Sequence, residues 1–232
     1  HLSWITSVKV NKQEQLSKLF EEGFAPEVMA NIHDDGFDID CLKAAGGIPS
    51  SYLQYYYNRA EKLRHLKDSD ESRAQVCMEI EEDLLELYSN ESVVTKPALL
   101  DLRGGHKYSL AAVSLIDSIA NDKRDIHVVN IKNEGTLSFM DKDDIVEISA
   151  VIGKNGAQAV QVDELDNRHI TGLMRIVKSY EKLTVEAART GNDSAALNAL
   201  MLHPLIGDFE SAKACYEEMK QAHKQYLPQF FK

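Results

Sequence analysis

One tripeptide constrains the fold more than any other feature. Lys154-Asn155-Gly156 lies between two β-prone runs, Ile145 to Gly153 and Ala157 to Val162. Asn-Gly at such a junction tolerates the positive φ values of a type I′ turn, so the pattern predicts a hairpin. Its two strands must then be antiparallel neighbours. Most of the remaining chain has helical spacing, without the strand–helix alternation of a doubly wound parallel sheet. The expectation is an α+β fold, with helices around a small, largely antiparallel sheet.

Two further strands are expected, at Leu2 to Val10 (LSWITSVKV) and Asp125 to Ile131 (DIHVVNI). Asn133-Glu134-Gly135 should turn the chain. Helices are expected over 11–22 with Asn11 as N-cap, from Ser50 or Ser51 to 67, and over 70–88 with Ser69 as cap. Others follow over 108–120, 166–189, 194–202 and 208–225. Shorter helical stretches fit 26–33 and 38–45, and loops fit 33–38 and 101–107. The C-terminal LPQFFK is expected to be loosely held.

A length of 232 residues suits one large domain. With 26 Lys+Arg against 37 Asp+Glu, the formal charge is −11, opposite to the footprint of a nucleic-acid binder or of docking on an anionic membrane. A hydrophobic fraction of 44% is too high for a disordered chain. No apolar run approaches the ~20 residues that span a bilayer. Cys41, Cys77 and Cys215 form neither a disulfide framework nor a CxxC site, and separate thiols suit a reducing cytoplasm. The chain starts at His1 inside a strand-like run, without Met or the regions of a signal peptide, as a piece of a longer protein would.

Four places are dense in chemistry. His1, on a strand end, is either a metal-ligating imidazole or simply a terminal residue. In Gly46 to Tyr57, GGIPSSYLQYYY, Tyr52 falls in the first helical turn, where the dipole favours an anion and eases phenol deprotonation. Tyr55 to Tyr57 read more simply as core aromatics. Asp101 to Ser109, DLRGGHKYS, sets Arg103 and bare glycine backbone ahead of a helix start, a combination suited to phosphate or vicinal hydroxyls. A Gly-rich turn with a surface Arg reads the same pattern equally well. His203, before Pro204, reads as a helix-ending residue. No HExxH, GxSxG, GxGxxG or Walker pattern is present.

Six segments, in order along the chain, resemble glycoside hydrolase family 4. They are HLSWI at His1, IPSSYLQYYY at Ile48, RGGHKYSLAAVSLIDSI at Arg103, DIHVVNIKNEG at Asp125, YEKLTVEAA at Tyr180 and ALNALMLHPL at Ala196. Within the family the similarity points to the 6-phospho-β-glucosidase branch. The resemblance implies a C-terminal domain like that of lactate and malate dehydrogenases, covering 1–232. It supplies substrate-binding, catalytic and assembly surfaces to a longer enzyme. An N-terminal Rossmann domain that binds NAD would precede it; the dinucleotide fingerprint and the upstream Cys-Asn of the metal site are absent from this sequence. In the family, HLSW follows Gly-Leu-Asn.

The resemblance also implies a mechanism outside the two-carboxylate scheme. NAD takes hydride from C3 of a 6-phosphosugar. A base then removes the C2 proton, the glycosidic oxygen is eliminated, water adds, and hydride returns. A divalent metal, usually Mn²⁺, polarises the C2 and C3 oxygens. Matched by motif, His1 is the metal ligand, Tyr52 the C2 base, Arg103 a contact to substrate or its phosphate, and Tyr108 a supporting substrate contact. The expected partners are a 6-phospho-β-glucoside, the chain's own N-terminal domain and further copies in a homodimer or homotetramer. The expected location is the cytoplasm, and the fragment alone is expected to be inactive. The alternatives are the 6-phospho-α-glucosidase and α-galacturonidase branches, or a non-catalytic oligomerisation domain. A 2-hydroxy acid dehydrogenase shares the fold, but the Tyr-rich motif argues against it.

Overall fold

The computed structural model describes residues 2–21, 36–104 and 107–232. The helical stretch expected over 26–33 and the first half of the 33–38 loop lie outside these residues. The chain opens with β1 (Trp4–Ile5) and a small antiparallel hairpin of β2 (Lys9–Val10) and β3 (Gln13–Glu14). Asn11 and Lys12 form its turn at positive φ, 51° and 66°. Asn11 therefore starts no helix, and the long first strand is two short pieces. Helix α1 (Leu16–Glu21) begins later, capped from Glu14. The Glu14 carboxylate accepts from the N–H groups of Val8 at 2.9 Å, Gln15 at 3.0 Å and Leu16 at 2.9 Å. The Ser7 hydroxyl and these N–H groups hold its pKa down to about 2.

Helix α2 (Ile39–Ala45) has the expected signals at both ends. Asp38 accepts from Asp40 N–H, and Gly46 stops the helix at φ 67°. β4 (Ile48–Pro49) then pairs antiparallel with β1. The single helix expected from Ser50 to 67 is three pieces: a 3₁₀ turn at Ser51–Leu53, α3 (Gln54–Tyr57) and α4 (Arg59–Asp68). Asn58 breaks it at φ −108°, ψ 35°, while its side-chain amide donates to the Gly36 carbonyl at 3.0 Å. Asn competes in this way with helical bonding when a distant carbonyl is within reach.

Helix α5 (Arg73–Ser89) is capped by Ser72 in a capping box with Gln75, not by Ser69, whose hydroxyl goes to Glu71 O. α6 (Leu99–Arg103) takes up half of the segment expected to be a loop. α7 (Tyr108–Ala120) matches its expected bounds. Then comes the main sheet, β5 (Asp125–Lys132), β6 (Ile145–Gly153) and β7 (Gly156–Ala159), antiparallel in that order. The β6–β7 hairpin exists, but Lys154 and Asn155 keep negative φ and only Gly156 is positive, at 95°. The register is one-to-one up to Gly153↔Gly156, so the loop is Lys154-Asn155, and with neither residue at positive φ it is not a type I′ turn. The loop from β5 to β6 is pinned by buried Asn133, whose amide reaches the carbonyls of Leu137, Met140 and Asp141 at 2.9–3.1 Å.

Three helices complete the body: α8 (Arg168–Thr190), α9 (Asp193–Leu202) and α10 (Phe209–Ala222). Asn167, Asn192 and Asp208 cap them through side-chain oxygens. The tail is ordered, contrary to its composition. Its 3₁₀ turn at Pro228–Phe231 packs on α8, and Gln229 Nε2 donates to Ala188 O at 2.9 Å. The Lys220 ammonium lies 5.9 Å and 5.2 Å from the Phe230 and Phe231 rings.

One core cluster joins Leu16, Phe20, Leu42 and Ile48. Val146, Ile148, Ala150 and Ile152 alternate inward along β6, as period-two patterning requires. Helix α7 is the exception to burial: Leu110, Val113 and Ile116 are each more than 60% exposed. An apolar helix of this kind ordinarily lies inside a larger assembly.

Candidate active site

The site is built where the N-terminal strand meets the Gly46–Tyr57 segment. Gly47 lets the two approach: a Cβ there would stand 3.1 Å from the Ile5 carbonyl oxygen. β1 and β4 align Trp4 with Pro49 and Ile5 with Ile48, and the Ser50 N–H donates to Ser3 O at 2.9 Å. This register brings Leu2 and Tyr52 to one cavity of about 610 Å³. Tyr55 and Tyr56 line the same space, so they are wall residues rather than buried core. Opposite them stand Met174 and Lys178 of α8, and Glu147 of β6. Lys178 is tied down by the Ile145 carbonyl at 2.8 Å and by Glu181, which gives the wall mixed charge.

Tyr52 sits in the 3₁₀ turn, and the α-helix that follows has only four residues. The dipole support expected of a long helix is therefore not built here, since macrodipole strength needs aligned turns. Tyr57 is placed differently from its neighbours. Its hydroxyl accepts from Trp4 Nε1 at 3.2 Å and lies 2.9 Å from His169 Nε2. Burial pushes the Tyr57 phenol up, and the Trp4 N–H opposes this only in part. His203 ends α9 as expected, with its N–H donating to Ala199 O at 3.1 Å. Its ring packs edge-on against Tyr180 at 4.6 Å, and burial depresses its pKa.

Arg103 and Tyr108 do not line the cavity. Arg103 is the last residue of α6, not a loop residue, and its guanidinium donates to Glu81 at 3.1 Å and 3.4 Å. Tyr108 opens α7 and is 76% exposed. His1 lies outside the described residues. Among the described residues, no group of three or more His, Cys, Asp and Glu side chains is gathered to hold a metal ion. Sequence reading missed Glu147, Lys178 and the Trp4–Tyr57–His169 contact. These pairs are 53 and 112 residues apart, and no local spacing rule spans that distance.

Residues 1–206 match the family 4 glycosyl hydrolase C-terminal domain. The chain belongs to glycoside hydrolase family 4. It is 38% identical over 225 residues to a Bacillus subtilis (strain 168) protein named "Probable 6-phospho-beta-glucosidase", covering 96% of this chain and 51% of that one. The 6-phospho-beta-glucosidase of Escherichia coli (strain K12) is 32% identical, with coverage of 99% and 53%. The structure of the Thermotoga maritima 6-phospho-beta glucosidase with manganese, NAD⁺ and glucose-6-phosphate superposes with a TM-score of 0.83 at 30% identity. It covers 98% of this chain and 53% of that one. This family 4 chain thus spans about half the length of the relatives it matches. The α+β reading with small antiparallel sheets holds for it. Among the described residues, no helix is long and apolar enough to cross a membrane.

Proposed function

We propose that this family 4 domain is the C-terminal half of a cytoplasmic, NAD- and divalent-metal-dependent 6-phospho-β-glucosidase, whose N-terminal half binds the dinucleotide. The observation that carries this is the meeting of two family motifs at one cavity: HLSW through Leu2 and IPSSY through Tyr52. The printed partners of the Thermotoga structure, manganese, NAD⁺ and glucose-6-phosphate, support the cofactors and the phosphosugar class.

NAD and the metal, when bound, would take hydride from C3 at the start and return it to C3 at the end, and would polarise the C2 and C3 oxygens. The chain's own part is proton chemistry and positioning. With C3 at the ketone level, the C2 proton is acidic, and Tyr52 takes it as the base. The glycosidic oxygen then leaves C1 with its bonding pair. Water adds across C1 and C2, returning hydroxyl to C1 and a proton to C2. By the motif match, His1 supplies one metal ligand. Arg103 exchanges its exposed Glu81 partner for the 6-phosphate, a dianion that suits the guanidinium fork better, and Tyr108 supports it. Both of these roles rest on the motif match, since neither residue lines the cavity.

A second role, assembly, is carried by α7. Its exposed apolar surface calls for cover by the N-terminal half or by a further copy in a dimer or tetramer.

The test uses p-nitrophenyl 6-phospho-β-glucoside with NAD and Mn²⁺. The full-length parent is expected to release nitrophenol, and the 232-residue chain alone is not. Tyr52→Phe in the parent should lower kcat by about 10²-fold or more with the fold intact, in line with loss of a general base. Near-normal turnover would remove Tyr52 as the base. Preference for the α-linked phosphosugar would move the enzyme to the α branch.

A further inference from the structure

Trp4 is the single tryptophan of the chain. It stands on β1, two residues from the cavity-lining Leu2. β1 has little backbone support of its own: its partner strand is two residues long, and one of them, Pro49, has no N–H to give. A strand held this thinly takes its position from side chains. The indole N–H donates to the Tyr57 hydroxyl at 3.2 Å, and that hydroxyl lies 2.9 Å from His169 Nε2. The Tyr57 and His169 rings stack with centroids 5.6 Å apart, and Phe37 meets Tyr57 edge-on at 6.1 Å. A phenol that accepts from an indole still has its own proton to give, and His169 Nε2 is the acceptor in reach. The imidazole then carries its proton on Nδ1. One phenol oxygen thereby ties β1, the end of α3 and the start of α8 together.

We propose that Tyr57 is a positioning residue of the active site, with His169 as its acceptor. It fixes β1, which starts three residues after the metal ligand proposed above, His1, and leads back to Leu2 at the cavity wall with Tyr52. This rests on the cavity being the active site, as proposed above. Tyr57 does not line the cavity, so it acts only through Trp4.

Two measurements test it. In the 232-residue chain, the one indole ¹⁵N–¹H resonance reports the Trp4 bond directly. Tyr57→Phe should shift it upfield and speed its exchange, while His169→Gln, which keeps an acceptor, should preserve it in part. An unmoved indole signal in Tyr57→Phe would overturn the anchor itself.

In the full-length parent, Mn²⁺ affinity is read from free Mn²⁺ by electron paramagnetic resonance. Tyr57→Phe and Trp4→Phe should each weaken it about tenfold, the size of loss seen when support behind a ligand is removed. Saturating Mn²⁺ should restore most of kcat, whereas Tyr52→Phe should stay inactive at any Mn²⁺ level. Unchanged Mn²⁺ affinity in both anchor variants of an active parent would overturn the positioning role alone. A wild-type parent that neither binds Mn²⁺ nor turns over would overturn the functional reading, and the positioning role with it.

Discussion

Replacing Gly191 separates two costs that usually come together. Gly191 ends α8 at φ 71°, and a Cβ there would run into the Gln229 backbone carbonyl. Gly191→Ala therefore pays left-handed backbone strain of about 1–2 kcal/mol. It also has to expel the tail, because the obstacle is backbone and cannot rotate away. Expulsion loses the Gln229–Ala188 hydrogen bond, worth about 1 kcal/mol. It also loses the Lys220 contacts to Phe230 and Phe231, worth about 0.5–1 kcal/mol each when exposed. The total is about 3–5 kcal/mol, or roughly 10 °C of melting temperature for a domain this size. Asn tolerates the left-handed region but keeps the Cβ, so Gly191→Asn should retain the tail cost, about 2–3 kcal/mol, and lose most of the strain. In a chain ending at Leu227, Gly191→Ala should cost only the strain. Thermal unfolding of the four proteins measures the coupling. An equal cost of Gly191→Ala with and without the tail would refute the claim that the tail is docked there. Because α8 also walls the cavity, tail loss should reach the site only through α8.

Gly47→Ala should cost about 1–3 kcal/mol from overpacking against Ile5 O and should shift Trp4 fluorescence as β1 moves; an unchanged emission spectrum would show that β1 does not seat there. His203 has a folded pKa below its unfolded value because burial disfavours the cation, so its contribution is intact above the unfolded pKa of about 6.5 and is lost as pH falls through the folded value. Wild type should therefore lose more melting temperature than His203→Gln between pH 7 and pH 5, and parallel curves would contradict this. Glu81→Gln should lower the melting temperature by less than about 4 °C, since an exposed ion pair with Arg103 contributes about 0–1 kcal/mol.

Local chemistry made much of this protein legible from sequence. Asp38, Asn167, Asn192 and Asp208 cap their helices through side-chain oxygens, and Gly46 and Gly191 stop theirs at positive φ. These signals act within four residues of where they are written, so the sequence carries them whole. The same holds for the hairpin at Lys154–Gly156, although its turn type was decided by where the positive φ fell. Motif order alone was enough to place the chain in its family.

Contacts between distant segments decided the rest. Asn58 breaks a helix whose periodicity runs on, because a carbonyl 22 residues away takes its amide. Glu14 displaces Asn11 as the start of α1, because one carboxylate can collect three backbone N–H groups. The tail is docked because α8 and α10 offer its Gln229 an acceptor and its phenylalanines a cation. Tyr57 reads in the sequence as one of three core aromatics; only the fold gives it Trp4 on one side and His169 on the other. The sequence by itself determined where most of the longer helices and the main hairpin form and which family the chain belongs to. The tertiary structure alone decided which side chains share a hydrogen bond or a cavity, because those energies depend on distance in space and not along the chain.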